Sequence, residues 1–112
     1  MDTTDFFTAT KRLLKAKLRI SIAARGSIAG MADELKLFEE QLQSEWQEQV
    51  GKLGPVTTVV WDQLSQQVNQ AFIEATREIR QTAGDGTMVT AGLADFQTSW
   101  RPDEFLPPRV QA

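Results

Sequence analysis

Residues 11–25, KRLLKAKLRISIAAR, carry six positive charges and no acid, although the whole chain of 112 residues has a net charge of −3. At 100° per residue, residues 4–25 form a helix whose apolar side chains share one side. Four of them define that side: Phe7, Leu14, Leu18 and Ile22. The alternation in LRISI, residues 18–22, would also suit a strand, but the length of the segment and its Leu, Lys and Ala residues favour a helix. The stretch therefore predicts a basic amphipathic first helix.

Two further amphipathic helices are predicted after the first one. Apolar residues recur at steps of three and four over residues 31–50, namely Met31, Leu35, Phe38, Leu42, Trp46 and Val50. A similar stripe runs through residues 57–81 and consists of Val60, Trp61, Leu64, Val68, Ala71, Phe72, Ala75 and Ile79. This spacing is typical of helices that bury one face. Leu37 is the exception, because it falls on the far side of the second helix.

Glycine and proline mark the ends of these helices. GSIAG, residues 26–30, predicts a turn between the first two helices, because each glycine costs a helix interior about 1 kcal/mol relative to alanine. GKLGP, residues 51–55, ends the second helix, since Pro55 cannot continue one. Leu, Ile, Val and Phe together make up 28 of the 112 residues, enough for a modest core. We therefore expect one helical domain over residues 1–81.

The charges divide unequally between the first two helices. Residues 1–30 hold six bases and two acids, net +4, whereas residues 31–54 hold two bases and six acids, net −4. Antiparallel helices that are joined by a short turn pack side by side. We therefore expect the second helix to neutralise the bases of the first, which are Lys11, Arg12, Lys15, Lys17, Arg19 and Arg25.

The same six bases also suit an anionic surface. A basic amphipathic helix with Phe6 and Phe7 near one end resembles an interfacial membrane anchor, and each base near an anionic bilayer adds about 1 kcal/mol. Nucleic acid is a less favoured partner, because the pI of the chain is about 4.9 and no aromatic residues alternate with the bases.

The last part of the chain, residues 82–112, differs from the helical domain. TAGDGT, residues 82–87, predicts a loop, and a short helix is predicted over residues 93–100. RPDEFLPPRVQA then contains three prolines and is expected to be extended. Five apolar residues have no core of their own here: Leu93, Phe96, Trp100, Phe105 and Leu106. Such a segment either folds back on its domain or docks on a partner, and these five residues are the predicted partner-binding set.

The composition removes most catalytic chemistry. The chain contains no Cys, His or Tyr, so general acid–base catalysis would fall to carboxylates or lysines with shifted pKa values. Glu74 and Glu78 share a helix face, but Arg77 and Arg80 lie beside them, which is typical of solvated surface charge. No loop has the alternating Asp and Asn spacing of a calcium site. We expect no catalytic residue, no cofactor, no metal and no small-molecule substrate.

The sequence as a whole predicts an all-α protein: a small three-helix bundle, or a helical hairpin plus a third helix, with an irregular Pro-containing C-terminal tail. The expected function is that of a non-catalytic protein–protein interaction module (an adaptor, assembly factor or accessory subunit), with self-association as one form of it. The alternative is a peripheral membrane protein that binds anionic lipid through residues 11–25. The N-terminus is acidic and no apolar run approaches about 18 residues, so a cytoplasmic location is expected.

Overall fold

The computed structural model describes residues 2–26 and 29–110, and for residues 29–32 it describes the backbone alone. Within this part of the chain the elements are α1 (Thr4–Ala23), α2 (Ala29–Leu53), α3 (Thr58–Ala83), α4 (Thr87–Thr98) and a 3₁₀ turn (Pro102–Phe105). The described residues contain no strand and a single isolated bridge, which pairs Val56 with Arg109. The prediction of an all-α fold is confirmed.

The boundaries of the helices differ from those predicted. The link between α1 and α2 lies two residues earlier than the predicted turn over 26–30, since α1 ends at Ala23 and α2 begins at Ala29; residues 27 and 28 lie outside the described part. Helix α1 begins at Thr4, whose backbone N–H donates to the Asp2 carboxylate over 2.9 Å. The third helix starts as expected, with the Thr57 hydroxyl accepting from the backbone N–H of Val60.

Helix α4 begins six residues before the predicted short helix over 93–100 and ends two residues earlier. Gly84, with φ +84°, turns the chain after α3, and Gly86 then caps α4. The stretch TMVTAG has weak helix propensity, but its helix packs along α1, and such tertiary contacts override propensity. The loop predicted over residues 82–87 is therefore only the three-residue link between two helices.

Helix α1 occupies the middle of the fold and packs against all three other helices. Ion pairs of Arg12 with Glu45 and of Lys17 with Glu39 show that α2 runs antiparallel to α1. Helix α3 runs parallel to α1 on its opposite side, and α2 and α3 hardly approach each other. Helices α2, α1 and α3 therefore form one layer, whose interior side chains include Leu13, Leu14 and Leu18, all fully buried.

Helix α4 lies antiparallel across the end of α1, and the two backbones approach closely. Gly92 permits this approach, because a Cβ atom at that position would lie 2.5 Å from Cα of Ile22. The Ser21 hydroxyl donates to the Gly92 carbonyl over 2.6 Å and fixes the same crossing. The position of α4 on the layer thus depends on residue 92 being a glycine, which has no side chain to separate the two backbones.

We expect Gly92→Ala to destabilise the protein by about 1–3 kcal/mol, the usual cost of overpacking, because backbone atoms of Ile22 cannot move away cheaply. The matched control is Gly51→Ala in α2, where a Cβ would meet no atom within 4 Å. That control should stabilise the helix by about 0.5–1 kcal/mol. Urea unfolding followed by circular dichroism measures both changes, and a Gly92→Ala protein as stable as the wild type would contradict this packing.

Candidate functional site

The six bases of the first helix are mostly engaged inside the fold. Lys11 Nζ lies 3.0 Å from Glu78 and 3.8 Å from Glu74, and Lys15 Nζ lies 3.2 Å from Glu78, so both lysines pair with α3. The sequence indicated solvated surface charge at these glutamates; both are partly exposed, and their partners are lysines of α1. Their pairing depends on which side of α1 the third helix occupies, and no local pattern contains that information.

The remaining bases pair with two other helices. Arg12 and Lys17 contact Glu45 and Glu39 of α2 at 3.1 and 3.2 Å. Arg25 forms a bidentate pair with Asp95 of α4, with both N–O distances 2.6 Å. The expectation that the second helix neutralises these bases holds for Arg12 and Lys17, whereas α3 and α4 pair with three of the others.

Arg19 is the exception among the six bases. No carboxylate of the described residues lies within 4 Å of it. It borders an apolar recess of about 270 Å³ between the four helices. Among the described residues, a membrane surface would thus find one of these six bases without a carboxylate partner.

Two of the paired carboxyl groups have a lowered pKa because of these contacts. Hydrogen bonds from Lys11 and Lys15 lower the pKa of Glu78 below its usual range. The hydrogen bonds from Arg25 likewise lower the pKa of Asp95. A carboxyl whose pKa is lower in the folded chain stabilises the fold at pH values above its unfolded pKa, and that stabilisation is lost as the pH falls through the folded pKa.

We expect Glu78→Gln to lower the melting temperature at pH 7, because the amide cannot pair with the two ammonium groups. The difference from wild type should shrink as the pH falls from the ordinary glutamate pKa of about 4.3 through the lower pKa that Glu78 has in the fold, because the wild-type glutamate then becomes protonated as well. Glu40→Gln is the control, since Glu40 is exposed and has no cation within 4 Å among the described residues. Thermal melts between pH 7 and pH 2 test this; a pH-independent difference would show that charge is not the cause.

The predicted partner-binding residues lie in or against the core. Leu93, Phe105 and Leu106 are buried, and Phe96 and Trp100 are half-buried against them. The segment is also tied down by its backbone, since Val56 donates to the Pro108 carbonyl and Val110 donates to the Val56 carbonyl. Of the two alternatives for this segment, the structure has it folded back on the helices. Binding of a partner through these five residues stays a prediction, and their burial argues for a structural role.

A row of five aromatic rings joins this segment to the helices. In order along the row they are Phe96, Phe72, Trp100, Phe105 and Trp46, with neighbouring centroids 5.9, 4.3, 5.4 and 6.1 Å apart. Because Phe72 belongs to α3 and Trp46 to α2, the row spans the gap between these two helices. The C-terminal residues thus complete the core on one side of the layer.

We expect Phe105→Ala to cost about 3–5 kcal/mol of stability, as large-to-small substitutions of buried aromatic residues do. The matched control is Phe38→Ala, whose ring is 44% exposed and which should cost less than about 1 kcal/mol. Urea unfolding compares the two variants. Equal, small losses would show that the C-terminal segment does not contribute to the core.

The largest exposed apolar side chains of the layer lie on the outer sides of α2 and α3. On α2, Leu37 is 65% and Phe38 44% exposed, and both line a shallow depression together with Gln41 and Ser44. We call this area the α2 outer surface and include in it the exposed acids Asp33, Glu34 and Glu40. The only sequence signal for it was the position of Leu37 outside the apolar stripe.

A second exposed area lies on the opposite edge of the layer. Ile73 is 53% exposed, and Arg77 and Arg80 follow it one and two helical turns later on the same face of α3. We call these three residues the α3 outer surface. Neither outer surface was predicted as a binding site.

Other kinds of site are not found in the described part of the chain. It contains no group of three or more carboxylates that could hold a metal ion. None of its helices has the length and apolar character that crossing a bilayer requires. Comparisons with protein families, with curated proteins and with solved structures give no significant match for this chain.

Proposed function

We propose that this protein is a non-catalytic protein–protein interaction module that binds its partner through the α2 outer surface. The observation that carries this proposal is the pair of exposed apolar residues Leu37 and Phe38 at one shallow depression. Apolar side chains that remain exposed next to each other, with polar residues around them, are typical of protein interfaces.

The charges around this depression indicate the chemistry of the partner. Asp33, Glu34 and Glu40 are exposed, and no cation lies within 4 Å of any of them among the described residues. A partner that presents lysine or arginine around an apolar residue would be complementary to this surface. The charged rim would set orientation and association rate, and the apolar pair would supply most of the affinity.

The alternative of a membrane-surface protein has less support. Five of the six bases on which it depends are paired with carboxylates of α2, α3 and α4. Releasing them to a bilayer would cost the fold those pairs. A cytoplasmic location remains part of the proposal, and the absence of cysteine is compatible with it.

The test is capture of binding proteins from native cells by three tagged forms: the wild type, the double variant Leu37→Glu/Phe38→Glu, and Val110→Glu. The last form is the control, because it alters an exposed apolar residue outside the α2 outer surface. We expect the double variant to lose a bound protein that the control retains. With that protein purified, its affinity for the variant should fall about 30-fold or more, the effect of losing an interface hot spot. An identical set of bound proteins for all three forms would contradict the proposal, and flotation of the wild type with anionic vesicles would favour the membrane alternative.

A further inference from the structure

We infer that the partner of the α2 outer surface is a second copy of this chain, which binds through its α3 outer surface. This inference rests on the proposed function and names its partner. The two surfaces belong to one molecule but lie on opposite edges of the layer, so they cannot satisfy each other within one chain. Each has at least one exposed apolar side chain and an excess of one sign of charge.

The signs of charge on the two surfaces are opposite. The α2 outer surface has Asp33, Glu34 and Glu40, whereas the α3 outer surface has Arg77 and Arg80. Arg77 has no carboxylate within 4 Å among the described residues, and Arg80 lies 3.4 Å from the exposed Asp85. An attraction between the two surfaces is therefore available in solution.

Charge also disfavours the symmetric alternatives. Two copies that meet through their α2 outer surfaces would place acids against acids, and two that meet through their α3 outer surfaces would place arginines against arginines. Like charges across an interface repel each other, so a two-fold symmetric dimer is electrostatically unfavourable through either surface. The complementary arrangement joins different surfaces of the two copies.

The direction of the helices suits this arrangement. Helix α2 runs antiparallel to α1 and α3 runs parallel to it, so α2 and α3 are antiparallel to each other. A copy moved sideways therefore places its α2 antiparallel to α3 of the first copy, as in a normal pair of neighbouring helices. When that copy is also shifted along the helix axis until Leu37 lies opposite Ile73, the antiparallel register puts Asp33 opposite Arg77.

Such a contact is heterologous and leaves one free α2 outer surface and one free α3 outer surface at the ends. Assembly can then continue into rings or open chains of molecules. One pair of helices buries less area than a standard interface, so the association is weak and depends on concentration. Because charge contributes, added salt should weaken it.

Sedimentation velocity of the purified full chain tests this inference between about 10 µM and about 1 mM, where contacts of less than standard size associate. We expect the average mass to rise above 12.5 kDa with concentration and to fall again with added salt. Leu37→Glu and Ile73→Glu should each remain monomeric, whereas Val110→Glu should behave as the wild type. An unchanged circular dichroism spectrum controls for folding of each variant.

The decisive measurement is an equimolar mixture of Leu37→Glu and Ile73→Glu. Each variant keeps the surface that the other has lost, so the mixture should form dimers and nothing larger. A mixture that stays monomeric while the wild type assembles would overturn the inference. A wild type that is monomeric throughout, with partner capture still dependent on Leu37 and Phe38, would overturn the inference and leave the proposed function standing. Assembly of Leu37→Glu like the wild type would also overturn the inference, whereas the proposed function fails only if partner capture does not depend on Leu37 and Phe38.

Discussion

Helix α1 has to bury apolar side chains towards three other helices and still accommodate five cations, with Arg25 as a sixth just beyond its end. It does so because lysine and arginine have long apolar stems, which lie along the helix surface while the charged ends reach carboxylates at the edges. Lys11, Lys15 and Lys17 are each only about a quarter exposed, and all three charges are paired. The rest of the fold follows from this constraint, since α2, α3 and α4 each contribute an acid where they meet α1.

The ion pairs contribute little to the stability of the fold, but they help to determine which helices lie next to each other. A pair that is partly exposed contributes about 0–1 kcal/mol, whereas each fully buried Leu of α1 contributes about 1.5–3 kcal/mol. The apolar side chains would pack with several helix orders. Opposite charges distinguish among them, because a wrong neighbour would leave a half-buried lysine without a carboxylate.

The sequence predicted the parts of this fold that depend on local periodicity. The stripes of α2 and α3 were recognised because a 3.6-residue repeat is visible in 20 or more residues. Helix α4 was predicted too short, since its first turns have weak helix propensity and are stabilised by contact with α1.

The role of Phe105 could not be predicted, because its partners, Trp46 and Trp100, are brought together by the finished fold. The exposure of Phe38 beside Leu37 could not be predicted for a similar reason. Phe38 has the spacing of a core residue, and only the packing of α2 against α1 leaves it 44% exposed at the edge of the layer.

The position of α1 also has a consequence for synthesis of the chain. Its contacts with α4 join residues about 70 positions apart, such as Ser21 with Gly92 and Arg25 with Asp95. The aromatic row is incomplete until Phe105 has been added. At about 5–20 residues per second, a nascent chain would therefore expose the side of α1 that faces α4 for several seconds before that helix exists. Completion of the fold in the cell thus has to follow elongation of the chain.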